Sequence, residues 1–180
     1  MVGMAKKERI EVEGKVMIAG NGRTKISING FREVYECGTG VVKYDNGKTF
    51  KVCTLPGIAI LKLIAYDDRP EIRQKDIQDL SLILKHYFEL ETEIIYDLHH
   101  DLFDDTSENK LIAARVLGRQ MKLILKRSSE LERRIVGVLK AEIENPEKSK
   151  IAELMVVGTE NTIYDAIDLM KELLRGIEEF

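Results

Sequence analysis

Lys62 is the only polar side chain in the nine residues Gly57 to Ala65, GIAILKLIA. Helical spacing puts it on a stripe with Ile58, Leu61 and Ala65. A lysine in such a setting either snorkels to water or is held by an opposite charge. The helix expected after Pro70 has an apolar stripe of Ile77, Leu80, Ile83, Leu84 and Tyr87, with Asp76 on its edge. Arg73 and Asp79 sit about 60° to either side of Asp76 at 3.6 residues per turn. Two neighbouring helices thus each aim a charge inward, and the charges are opposite. Lys62 and Asp76 are expected to meet across a helix–helix contact near the sheet. Such a pair is either a staple between helices or the floor of a charged pocket, because buried charges gather where a ligand or reaction needs them.

The elements that position these residues are legible around them. The chain has 180 residues, 44% hydrophobic and 33% charged, enough for one core and too apolar for disorder. Before residue 54 it reads as strand and turn. Glu11 to Ile18 alternates loosely, Gly20-Asn21-Gly22 is a turn signal, and Lys25 to Ile28 alternates with period two. Val41 to Tyr44 and Lys48 to Val52 flank Asn46-Gly47, which predicts a hairpin. A two-residue turn there places Val41, Phe50 and Val52 on one face, with Val42, Tyr44, Thr49 and Lys51 on the other, and opposes Cys53 to Gly40. Phe31 to Glu36 reads as a short helical turn.

After residue 54 the pattern is helical. Pro56 marks a first turn, and Pro70 suits the start of a helix running to about Leu90. Ser129-x-x-Glu132 reads as a capping box, Asn145-Pro146 as another helix start, and Gly158 as a C-cap. Five to seven helices are expected, and they should cover one face of the sheet. The fold class is therefore α+β: a short N-terminal antiparallel sheet with a hairpin over 1–55, then a helical part over 56–180. An unpaired sheet edge would favour a homo-oligomer.

Charge and composition exclude several functions. The net charge of −3 argues against a whole-chain polycation for nucleic acid. Residues 1–53 carry ten Lys/Arg against six Asp/Glu. The basic residues Lys6, Lys7, Arg9, Lys15, Arg23 and Lys25 lack interleaved aromatics, which points to a solvated edge over an RNA platform. No apolar run reaches membrane-spanning length, so a cytoplasmic location is expected. Cys37 and Cys53 form no metal spacing and are expected to be reduced and partly buried. His99-His100-Asp101 looks metal-like, but adjacent helical residues point about 100° apart. Phe88 to Asp105 holds seven acids and no Lys or Arg, the pattern of a solvated face.

Lys62-x-x-Ala65, Asp68-Arg69 and Arg73-x-Lys75-Asp76-x-x-Asp79-Leu80 together resemble a signature of the AbiEii-type nucleotidyltransferases. That family includes toxins of toxin–antitoxin and abortive-infection systems. Gly30-Phe31-Arg32-Glu33, Thr54-Leu55-Pro56-Gly57 and Val116-Leu117-Gly118-Arg119 fall in the family's order. The resemblance implies nucleotide transfer from a nucleoside triphosphate to an acceptor such as RNA. It implies Lys62 as the phosphate-side cation and Asp76 as an essential acid, supported by Arg69, Arg73 and Asp79. An antitoxin partner is also implied.

The departure from the family lies at the start. Its Gly-Ser motif is missing, and no Asp-x-Asp pair follows Gly20-Asn21-Gly22. The sequence looks like the family's C-terminal part behind a truncated or altered start. Mg²⁺ is expected for the full-length family, whose acid pair holds the metals, and none for this chain alone. The expected activity is accordingly weak or nil. The alternative is a non-catalytic binding module that kept the helical domain.

Overall fold

A computed structural model describes the backbone of residues 10–12, 15–18 and 24–27, and residues 30–104 and 108–179 in full. Strands β1 (Ile10–Val12), β2 (Lys15–Ile18) and β3 (Thr24–Ser27) form an antiparallel sheet in the order β1-β2-β3. The Gly20-Asn21-Gly22 turn and the side chains of the basic N-terminal residues lie outside the described residues. Helix α1 (Phe31–Cys37) leads into a hairpin of β4 (Thr39–Lys43) and β5 (Thr49–Cys53). Then come α2 (Leu55–Asp68), α3 (Gln74–Leu90), α4 (Thr92–Leu98) and α5 (Asn109–Leu125). Helices α6 (Ser129–Glu144), α7 (Lys150–Met155) and α8 (Ile163–Glu178) complete the described chain. The α+β class holds, with the hairpin near the N-terminus followed by helices.

The hairpin register differs by one residue from the expected one. Val42 faces Phe50, Gly40 faces Val52, and Cys53 faces Thr39, not Gly40. The connection is a three-residue loop, Asp45 to Gly47, closed by Gly47 N–H donating to the Tyr44 carbonyl at 2.9 Å. Gly47 takes φ +80°, the left-handed residue that ends such loops. A one-residue shift exchanges the two faces. Val42, Tyr44, Phe50 and Val52 therefore share one face, with the Tyr44 and Phe50 rings 5.4 Å apart.

The sheet is also divided where one layer was expected. β4 and β5 pair only with each other, and all but their terminal Thr39 and Cys53 are exposed. Helices do not cover the hairpin; they cover one another. The core centres on α5, where every residue from Ile112 to Gly118 is buried. It packs against α1, α2, α3, α6 and α8.

The contact of α5 with α8 rests on two glycines. A Cβ on Gly118 would lie 2.1 Å from the Leu173 carbonyl oxygen, and one on Gly176 would lie 2.1 Å from that of Arg115. Only hydrogen at both positions lets the backbones touch.

Two helix starts move from their expected places. Pro70 to Arg73 form a turn, and α3 begins at Gln74. The N-cap of α6 is Ser128, whose hydroxyl accepts from Leu131 N at 3.2 Å, so the Ser129-x-x-Glu132 box does not form. Of two adjacent serines, the extended one caps. Glu132 is drawn instead to Lys122, at 2.6 Å.

Candidate functional site

Helix α2 is set by Thr54, whose side chain accepts from Gly57 N at 3.5 Å, and by Pro56 in its first turn. Its buried side carries Ala59, Ile60, Leu63 and Ile64. Lys62 lies with Ile58, Leu61 and Ala65 on the other, half-buried side, so the expected stripe is not the core-facing one. This placement makes the lysine tolerable: its stem is covered and its head reaches the margin. Leu55 to Lys62 is about 10 Å along the axis, so the lysine backbone stands about two turns into α2.

The chain reverses after α2 through a turn in which the Arg69 carbonyl accepts from Ile72 N and Arg73 N. This turn lays α3 beside α2 and presents the first turn of α3 to Lys62. Ile77, Leu80, Leu84 and Tyr87 are buried on α3, and Asp76 sits at the head of that face. The positive end of the helix favours a carboxylate there.

Lys62 Nζ donates to Asp76 Oδ1 at 2.7 Å and to Asp79 Oδ2 at 2.6 Å. Arg73 Nε lies 3.5 Å from Asp76 Oδ2. The expected approach of Lys62 and Asp76 across a helix pair is therefore present, with Asp79 as a third member. The side chains are 26% exposed for Lys62, 11% for Asp76 and 34% for Asp79. Burial pushes the Lys62 ammonium down, but its hydrogen bonds to the two carboxylates outweigh this and hold its pKa above the usual value. The lysine is a fixed cation and not a base or nucleophile near neutral pH. Two of its three N–H groups are used by the acids.

Arg73 is largely exposed and, among the described residues, touches the cluster through Asp76. Arg69 is exposed at the turn. The neighbouring Asp67 and Asp68 face elsewhere: Arg134 of α6 binds them at 2.6 and 2.8 Å. Two cations and two acids thus form a locally neutral group at the α2–α3 margin.

Asp76 and Asp79 each give an oxygen to Lys62, so a divalent cation at this point would have to displace the ammonium. Among the described residues, no group of three or more His, Cys, Asp or Glu side chains could hold a metal ion. The acids present do not fit a two-metal centre.

No protein-family model, curated protein or solved structure matches this chain.

Sequence reasoning missed a second charged group. Arg119 Nη1 and Nη2 donate to Asp101 at 2.9 and 2.6 Å, and Arg119 Nε donates to Glu179 at 2.6 Å. Arg119 Nη1 also lies 3.2 Å from His99 Nδ1, and Arg115 pairs with Glu179. The signal was two arginines four residues apart inside the apolar run Leu111 to Leu125. His99 and Asp101 thus converge on a guanidinium.

Burial and the Arg119 charge hold His99 below its usual pKa. Burial alone would raise Glu179, but Arg115 and Arg119 outweigh it and bring it down. Cys37 and Cys53 are unbridged and partly buried.

Proposed function

We propose that this chain is a nucleotidyltransferase-like protein that receives triphosphate oxygens at Lys62 and transfers nucleotide weakly or not at all. The observation that carries the reading is the convergence of Asp76 and Asp79 on Lys62 Nζ, at 2.7 and 2.6 Å, from 14 and 17 residues away. Those residues also bear the family resemblance. The ammonium retains one N–H and a partly exposed position, which suits it to a phosphate oxygen. Arg73 and Arg69 stand at the same end and would add positive charge. Asp76 positions the ammonium.

The acceptor in this reading is an RNA, the setting is the cytoplasm, and an antitoxin would be the natural protein partner. No helix among the described residues is long and apolar enough to cross a membrane.

The test measures equilibrium binding of each nucleoside triphosphate, together with label transfer to total RNA in Mg²⁺ or Mn²⁺. Weak triphosphate binding that vanishes in Lys62→Ala, with transfer at background, supports the reading. Binding equally strong in Lys62→Ala would leave the cluster as a helix staple. Robust transfer abolished by Lys62→Ala or Asp76→Ala would overturn the weak-or-inactive clause, and would direct attention to Glu33, Glu36 and Asp45 as metal-holding acids.

One observation favours a second reading, a non-catalytic interaction module. Val42, Tyr44, Phe50 and Val52 are each at least 42% exposed on one hairpin face. Isolated two-stranded hairpins are marginal in water, and such faces favour a partner. Self-association through these strands would appear in light scattering as a dimer that Phe50→Lys disperses.

A further inference from the structure

Eleven residues beyond Asp76 on α3, about 16 Å along its axis, the helix borders a second feature that the preceding reading does not use. A half-open cavity of about 160 Å³ lies where α3 and α4 meet α5 and the start of α2. Its apolar walls include Pro56, Ile94 and Leu123. Its polar lining includes Tyr87, Glu91 and Gln120, together with Thr54, whose hydroxyl donates to the Gly38 carbonyl at 3.0 Å.

Tyr87 is 1% exposed, yet among the described residues its hydroxyl has no hydrogen-bond partner. A buried hydroxyl left unpaired costs roughly 1–3 kcal/mol, so a native one calls for a partner. Glu91 stands one helical turn further on the same face. Among the described residues its carboxylate has neither an ion pair nor a hydrogen bond. Burial pushes the Glu91 carboxyl up, and burial first, with the Glu91 charge second, pushes the Tyr87 phenol up.

The other charged groups nearby leave the site acidic. Arg127 donates to Cys37 Sγ at 3.3 Å on the α1 side of the cavity. His99 lies behind Gln120, 3.3 Å from its amide nitrogen. With that nitrogen turned to His99, the Gln120 oxygen is left as an acceptor. Glu91, Tyr87 and Gln120 then offer three acceptors, and an ammonium carries three donors. A cavity of roughly 150 Å³ accommodates a benzene ring.

We propose that this cavity binds a small primary ammonium ion carrying an apolar body no larger than a benzene ring. The ammonium meets Glu91, Tyr87 and Gln120, and the apolar body lies against Pro56, Ile94 and Leu123. The proposal is independent of the nucleotide reading and uses none of its residues.

Benzylammonium is the probe, with benzyl alcohol and benzoate as matched neutral and anionic controls. Each is titrated into the full ¹⁵N-labelled chain while amide shifts are followed. Benzylammonium should move the signals of Ile94, Gln120 and Leu123 saturably, and benzoate should not. Glu91→Gln keeps the shape and removes the charge, and should weaken binding by about tenfold. Tyr87→Phe should weaken it by about threefold. Leu123→Trp fills the mouth from a half-exposed position and should abolish binding, which decides the matter if Glu91→Gln fails to fold. Absence of saturable shifts, equal binding of benzyl alcohol or benzoate, or undiminished binding in Leu123→Trp would each overturn the proposal.

Discussion

Among the charged groups that join helices in the described residues, two do so in contrasting ways. At the α2–α3 margin one ammonium holds two acids and keeps a donor in reserve. Between α5 and α8 the Arg119 side chain is 9% exposed and its three nitrogens face Glu179, Asp101 and His99. The first cluster is reachable and incompletely used. The second is buried at Arg119, whose guanidinium is fully partnered although Asp101 stays half exposed, and it lies against helices already in backbone contact. A saturated buried network fixes a fold, because any change leaves a desolvated group unpaired. An unsaturated one at a margin can be exchanged for a ligand at little structural cost. Location and valence, more than the presence of opposite charges, separate the two.

That contrast is broken most severely at the glycines. Gly118→Ala should destabilise the protein by about 3 kcal/mol in urea denaturation, because the added carbon meets the Leu173 backbone. A loss below about 1 kcal/mol would mean that α8 slides away freely and that the crossing is not fixed. Next in size is Arg119→Met, expected to cost about 2 kcal/mol. It strands Glu179 with Arg115 alone and leaves Asp101 without its guanidinium. Lys62→Met should cost only about 1 kcal/mol, since Asp79 remains hydrated and Arg73 still approaches Asp76. Equal losses at Arg119 and Lys62 would erase the distinction between the regions.

The smallest expected effect sharpens the comparison through pH. His99 has a lowered pKa in the folded protein, so the unfolded chain binds its proton first as the solution is acidified. The stability linked to it is complete above about pH 6.5 and is lost as pH falls toward the folded value. Lys62 has a raised pKa, so its contribution is complete below the usual lysine value and is lost only in strong alkali. Mild acid should therefore loosen the α5–α8 region and spare the α2–α3 cluster. Melting temperatures of the parent and His99→Gln between pH 5 and 7 check this: the variant should show the shallower slope.

The sequence made the first cluster legible because each of its members interrupts an apolar pattern. Lys62 is the lone charge in its run, and Asp76 precedes a clean helical stripe. Their meeting also required that α2 and α3 be neighbours, which a short connection makes nearly obligatory. The second cluster was harder to see, because Asp101 belongs to the acidic stretch Phe88 to Asp105, which reads as a solvated face. Nothing local marks which acid an arginine dozens of residues away will claim. The hairpin was located by Asn46-Gly47, but its register turned on whether two or three residues close the loop. Gly47 at a positive φ is compatible with both. At the start of α6, two adjacent serines offered equivalent caps, and only backbone geometry chose Ser128.

The enclosure of α5 also sets an order of events during synthesis. Leu125 ends that helix, and Glu179 stands 54 residues later. At roughly 5–20 residues per second, a ribosome needs about 3–11 s to supply the intervening stretch. For that interval the completed helix has no α8 to receive Gly118, and its two arginines have no Glu179. A nascent chain halted between residues 125 and 163 would therefore offer a chaperone a long apolar surface studded with two guanidiniums. Its release would wait on the arrival of the last helix.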